Sequence, residues 1–183
     1  MKLMGPRVSY ADLERAPEDG RRYELYDGEV VVVPSPLPRH QIVAQNLSYL
    51  FSAYAAEHGG LALISPIDIV FSEHDVVQPD VVFFEASRRH LVRLDAPIRH
   101  APDLAIEVLS PTTAAIDRGK KMRMLARYGV REYWIVAPVA ETIEIYTRAG
   151  GTYTLAGTMV GPDEARSPHL PDLSFAATQV FPS

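Results

Sequence analysis

The chain has no cysteine, three lysines, one tryptophan and no apolar run long enough to span a bilayer. Each shortage excludes something. Without thiols there is no disulfide, no thiolate zinc site and no cysteine nucleophile, which fits a cytoplasmic bacterial-type protein. Met1 to Tyr10 lacks the apolar stretch of a secretion leader, and no membrane partner is expected. Positive charge is also in deficit: 23 acidic residues oppose 18 basic ones, for a net charge of −5. That balance speaks against a protein that coats nucleic acid nonspecifically. What remains is ordinary for a globular fold. A length of 183 residues, 47% of them hydrophobic, leads us to expect one domain over 1–183 with a substantial core.

Two carboxylates stand out in runs that otherwise read as core strands. Asp80 opens Pro79-Asp80-Val81-Val82-Phe83-Phe84, and Glu107 interrupts Leu104-Ala105-Ile106-Glu107-Val108-Leu109. A buried carboxylate must be paired, protonated or holding a cation, because an unpaired one costs several kcal/mol (roughly). Two of them in two candidate strands suggest a metal site, and so an enzyme. The alternatives are a turn cap after Pro79 for Asp80 and a plain buried ion pair for Glu107.

The scarcity of lysine sharpens this. Fifteen of the eighteen cationic residues are arginine, and the lysines are Lys2, Lys120 and Lys121. Ser110 to Gly129 reads as one helix, opened at Ser110-Pro111 or Thr112-Thr113 and closed at Gly129. At about 100° per residue, Ala114, Met124, Leu125 and Tyr128 share a stripe. Lys121 falls near its middle and Asp117 near its edge. Lys120, Arg123 and Arg127 turn away. A compact ammonium kept at an inward position suits close approach to a phosphate or a metal-bound water. The competing reading is an Asp117–Lys121 pair at i, i+4 on the helix surface.

Charge is unevenly spread. Arg118, Lys120, Lys121, Arg123, Arg127 and Arg131 put a third of the cations into fourteen positions, and Arg88, Arg89, His90, Arg93, Arg99 and His100 form a second cluster. Either could contact a phosphodiester locally, or be a solvated surface.

The order of elements can be read along the chain. Ser9–Ala16 is a short helix with a Ser9/Asp12 capping box, and Tyr23–Val33 is a hairpin turning at Asp27-Gly28. After a proline loop, Arg39–His58 forms a long helix with Ile42, Val43, Leu47, Leu50, Phe51 and Tyr54 as its apolar side, stopped by Gly59-Gly60. Strands follow at 61–64, 67–71, 81–84 and 104–109, the first two being a bent hairpin in one reading. Then come the Lys121 helix, a strand at 133–136 and a terminal hairpin near 142–147 and 152–155. The expectation is an α+β fold, a mixed sheet flanked by helices.

This order, together with Tyr23-Glu24-Leu25-Tyr26-Asp27-Gly28-Glu29, Ser35-Pro36, His40-Gln41, Gln78-Pro79-Asp80-Val81, Pro102 through Pro111, Asp117-Arg118-Gly119-Lys120-Lys121 and Gly129 through Trp134, resembles the Uma-two-type endonucleases, a large bacterial family within the PD-(D/E)XK, restriction-endonuclease-like superfamily. The matching stretches run from about 20 to 147. The resemblance implies an αβββαβ core with added N- and C-terminal β-hairpins. It also implies Mg²⁺- or Mn²⁺-dependent hydrolysis of phosphodiesters, DNA foremost. Asp80, Glu107 and the Val108 carbonyl would hold the metal, and Lys121 would stabilise charge or help deprotonate the water. The parent motif carries lysine two residues after the glutamate; Leu109 stands there, so the resemblance moves that role to Lys121.

Glu24 and His40 complete the implied catalytic set. Hairpin alternation leaves Glu24 equally free to face solvent, and a histidine at a helix start, such as His40, often makes only a local hydrogen bond; the resemblance raises His40 to a phosphate or water contact. Gln78 is a supporting candidate and Asp68 a weaker one, while Trp134 reads as core. Arg118, Lys120 and Arg123 are the candidate nucleic-acid contacts, and a homodimer is a possible assembly. The alternative function is a catalytically weak or inactive module of the same fold that binds nucleic acid or itself.

Overall fold

The computed structural model describes residues 7–182; the leader reading over Met1–Tyr10 thus falls partly outside the described residues. A capping box between Ser9 and Asp12 opens α1 (Tyr10–Arg15). Strands β1 (Arg22–Tyr26) and β2 (Glu29–Val33) form a hairpin whose two loop residues, Asp27 and Gly28, both have positive φ (55° and 80°). That is the turn whose twist matches paired strands. Pro38 fills the first turn of α2 (Pro38–His58), where its missing N–H costs nothing. Val43, Ala44, Leu47 and Phe51 form its buried stripe; Ile42, expected there, is exposed. At Gly60 (φ 93°) a β-carbon would lie 2.6 Å from the Phe84 carbonyl, so the chain can leave the helix only through glycine.

The central sheet has six strands in the order β10-β9-β8-β7-β6-β3. These are β3 (Leu61–Ile64), β6 (Val81–Phe84), β7 (Leu104–Val108), β8 (Glu132–Ala137), β9 (Thr142–Ala149) and β10 (Thr152–Val160). Only β7 and β8 run parallel, and a helical crossover joins them, as a parallel pair requires. This is the restriction-endonuclease-like α+β fold: α2, β3, β6, β7, crossover, β8.

The segment at 67–71 does not join the central sheet. Its strand, β4 (Ile69–Ser72), pairs with β5 (Asp75–Val77) and the N-terminal hairpin in a second sheet, β2-β1-β5-β4. β5 is three residues long and entirely buried, too short for alternation to register. Beyond the terminal hairpin, β11 (Glu164–Arg166) and β12 (Ser174–Ala176) add a small ladder. Its Ala165, Leu170, Leu173 and Phe175 close the core beneath α2.

The central strands alternate between two apolar layers. Val81, Phe83, Leu104, Ile106, Val108, Trp134 and Val136 face α2. Phe51 meets Phe83, Trp134 and Phe175 there at ring-centroid distances of 5.9, 5.6 and 6.5 Å, so Phe51→Ala would cost about 3–5 kcal/mol. Val82, Phe84, Ala105, Tyr133 and Ile135 face the crossover and the second sheet. By the same parity, Asp80 and Glu107 belong to this second face. No described helix is long and apolar enough to cross a membrane.

Candidate active site

Strands β6 and β7 are antiparallel, with Val81 opposite Ile106. Carrying that register one residue further sets Asp80 opposite Glu107. Asp80 lies at the bend just before β6 rather than in a strand. The Val108 N–H donates to its Oδ2 at 2.8 Å, which ties the bend to β7. Glu107 is 4% exposed.

The crossover is not one regular helix. It opens at Ser110, whose Oγ accepts from the Thr113 N–H, and runs through α3 (Ala114–Ile116), a π turn at Asp117–Lys121 and α4 (Met122–Tyr128). A π turn is wider than an α turn and shifts the phase of the residues in and after it. Asp117 is consequently 1% exposed, well inside the edge position that ideal phasing gives it, and Lys121 beside it is 4% exposed. Lys120 is half exposed and pairs with Glu29 at 2.5 Å.

Lys121 Nζ sits among three carboxylates: Glu107 at 2.7 Å, Glu24 at 2.9 Å and Asp117 at 3.4 Å. The helix-surface reading of the Asp117–Lys121 pair is therefore incomplete; the pair exists, but buried and shared. Glu24 does not face solvent. On β1 the polar face carrying Arg22, Glu24 and Tyr26 is the site face, while Leu25 packs away from it with Tyr10, Val70 and Val76. Glu24 accepts from Tyr26 Oη (2.6 Å) and the Gln78 N–H (2.8 Å). Gln78 Nε2 donates to Asp68, which also receives Tyr10 Oη. Asp68 thus supports the site from outside it.

Electrostatically the cluster holds more acid than base. Burial, reinforced by Asp117, Asp80 and Glu24, outweighs Lys121 and pushes the Glu107 carboxyl well above its ordinary range. Burial likewise raises Asp117. For Lys121, burial works against the charged form, but Glu107, Glu24, Tyr26 and Asp117 more than offset it, so the ammonium stays protonated. His40 stands at the start of α2 with Nε2 3.2 Å from Asp80 Oδ2. Burial lowers its basicity, yet Asp80, Gln41 and the Val108 backbone prevail, and the ring is held above its ordinary value.

These groups line a cavity of about 410 Å³. The remaining walls are largely aliphatic, with Val31, Val33, Pro36, Leu109, Ile116 and Val139 among them. Among the described residues, two buried oxygens nearby, Asp117 Oδ2 and Gln78 Oε1, have no hydrogen-bond partner, nor does His40 Nδ1. An orphaned carboxylate oxygen in an acid-rich cluster suits a hard divalent cation. Among the described residues no three acidic or imidazole groups converge into a metal cage. The fit is therefore to an ion held by one or two carboxylates, completed by water and substrate.

The candidate nucleic-acid contacts differ from one another. Arg118 is held bidentately by Glu144 (2.6 and 2.7 Å) and Lys120 by Glu29, while Arg123 is exposed with no carboxylate within 4.0 Å among the described residues. In the second basic cluster, Arg88, Arg93 and Arg99 each pair with an acid. Trp134 is fully buried and donates to Glu132. The sequence reading missed Arg22 and Arg39, which line the cavity, and the depth of Asp117. The one sequence signal for Arg22 is its strand parity with Glu24, which does not say which face is covered.

Residues 9–178 match the family model Uma2, described as "Putative restriction endonuclease". The uncharacterized protein slr1290 of Synechocystis sp. (strain ATCC 27184 / PCC 6803 / Kazusa) is 28% identical over 129 residues, covering 68% of this chain and 65% of that protein. The chain thus matches just under two thirds of that relative's length. A crystal structure of a putative nuclease belonging to DUF820, from Anabaena variabilis ATCC 29413, superposes with a TM-score of 0.78, covering 94% of this chain and 97% of the other at 18% identity. At that identity the likeness is one of fold.

Proposed function

The chain belongs to the Uma2 family, and from that premise we propose that it is a metal-dependent nuclease that hydrolyses phosphodiester bonds, with DNA as substrate. One observation carries the reading: three carboxylates gather about one lysine at the wall of a cavity that Asp80 also lines, one of their oxygens has no hydrogen-bond partner among the described residues, and the acid excess calls for a further cation. Asp80, Glu107 and the Val108 carbonyl would hold Mg²⁺ or Mn²⁺. When bound, the ion polarises the scissile phosphate and lowers the pKa of water.

The chain's own groups do the rest. Lys121, kept protonated by three carboxylates, stabilises the negative charge that develops on the phosphate; it is not the base. Glu24 and Asp117 fix the ammonium from two further sides, and Tyr26 and Gln78 fix Glu24. His40 and the Val108 N–H orient Asp80. Arg118, Lys120 and Arg123 belong to this reading as strand contacts outside the cavity, the first two by exchanging carboxylate for phosphate. A single domain, a homodimer and a cytoplasmic setting complete it.

The test is cleavage of plasmid and single-stranded DNA with Mn²⁺, comparing the wild type with Lys121→Ala and Glu107→Ala. Cutting that needs metal and vanishes in both variants is the expected result. No cutting above the variants' background, on either substrate, favours a second reading, a binding module of nuclease fold. Lys121 Nζ already bonded to Glu107 and Leu109 in place of the motif lysine lean that way.

A further inference from the structure

The cations of this surface are mostly neutralised. Arg118 and Lys120 face Glu144 and Glu29, Arg127 pairs with Asp75, and Arg88 and Arg131 share Asp103. A protein that tracks a duplex needs several unneutralised cations spread over a broad face, and this one carries a net charge of −5. Two arginines are exceptions in a telling place. Arg22 and Arg39 both line the cavity that holds Asp80, Glu107 and Lys121, and among the described residues neither has a carboxylate within 4.0 Å. Arg22 donates to Ser65 Oγ (3.0 Å) and the Pro34 carbonyl (3.3 Å), which fixes the guanidinium and, among the described residues, leaves the rest of its five N–H groups unused. Arg39 is exposed and, among the described residues, holds only the Pro138 carbonyl, at 3.4 Å. Arg22 and Asp80 also line a second cavity, of about 180 Å³.

The main cavity has the size of a small-molecule pocket. Its aliphatic walls can cover the faces of a base and sugar, and its guanidinium groups can fork onto phosphate oxygens. A stacked, paired base cannot reach such an enclosure without being flipped out. Resting on the nuclease reading above, we propose that the cavity holds one unstacked nucleotide, with Arg22 and Arg39 on the phosphates beside it. The substrate class is single-stranded nucleic acid.

Binding of a fluorescent short single strand, as DNA and as RNA, and of the matching blunt duplex would be measured by anisotropy. Ca²⁺ would replace Mn²⁺ so that the strands stay intact. Binding of the single strand roughly tenfold or more tighter than the duplex is expected. Arg22→Ala and Arg39→Ala should each lower the slope of log affinity against log salt by about 0.7, a change that loss of packing would not produce. Should Arg22→Ala fail to fold, Arg39→Ala carries the test, since its exposed side chain holds only one long contact. Equal or tighter duplex binding, or an unchanged salt slope in Arg39→Ala, overturns the proposal. The DNA and RNA arms identify the strand. Hydrolysis of bis(p-nitrophenyl) phosphate with Mn²⁺ separates the two readings. Hydrolysis with duplex preference sinks the single-strand proposal alone. Strand binding without hydrolysis supports that proposal and sinks the nuclease; absence of both overturns both.

Discussion

Strand β7 carries a buried carboxylate near each end, and the two are held in opposite ways. Asp103, just before the strand, is 3% exposed and fully matched. It accepts from the Glu85 N–H, Arg88 and Arg131, and Arg131 also meets Glu85. Although burial pulls its pKa up, these donors win and hold it below the ordinary carboxylate range. Glu107, four residues on, shares one lysine with Glu24 and Asp117, and its pKa goes up. The first end is a closed structural network. The second keeps more negative charge than it can satisfy, beside a cavity. Balanced partners mark Asp103 as a structural carboxylate, while the imbalance at Glu107 is what makes it a candidate functional one.

Substitution should separate the ends most strongly through activity. Lys121→Ala and Glu107→Gln are expected to lower Mn²⁺-dependent cleavage about 10²–10³-fold or more, whereas Asp103→Asn should leave cleavage per folded molecule unchanged. Stability should rank the variants the other way. Asp103→Asn weakens a matched network whose arginines are partly exposed and should cost about 1–3 kcal/mol in urea denaturation. Glu107→Gln relieves a crowded negative charge and should cost under about 1 kcal/mol, or stabilise. A large loss in Glu107→Gln would make that end structural too.

The pH dependence of stability should differ in sign. Glu107 and Asp117, raised from ordinary values of 4.5 and 3.8, bind more protons folded than unfolded. The metal-free protein should therefore lose stability as pH rises from those values through the folded ones, and Glu107→Gln should flatten the loss. Asp103, lowered from 3.8, contributes fully above that value, and its contribution is lost as pH falls through its folded value. Urea midpoints measured across both ranges test the two signs. The smallest effect belongs to neither end: Ser9→Ala removes the α1 cap, should cost about 1 kcal/mol, and should not touch cleavage.

The legible parts of the fold were those with local signatures. The Asp27-Gly28 turn, the Ser9 box, the α2 stripe and the β7 run each follow from a few neighbouring residues. Partnership between distant segments was not legible. Nothing near Ile69 or Asp75 says that those strands join the N-terminal hairpin, because pairing is decided by which faces remain apolar after folding. The site shows the same limit. Asp80, Glu107 and Lys121 announced themselves as charges in apolar surroundings, and the structure brings them together with Glu24 and His40. Asp117 was misplaced because ideal helical phasing does not foresee a π turn. Glu24 stayed open because alternation groups residues by face without saying which face is covered, and the same ambiguity hid Arg22.

Calorimetric titration of the metal-free protein with Mn²⁺, beside Glu107→Gln and Asp80→Asn, addresses the acid excess directly. The account predicts binding to the wild type that either substitution abolishes. It is contradicted if the wild type binds no Mn²⁺, or if Glu107→Gln binds it as well as the wild type.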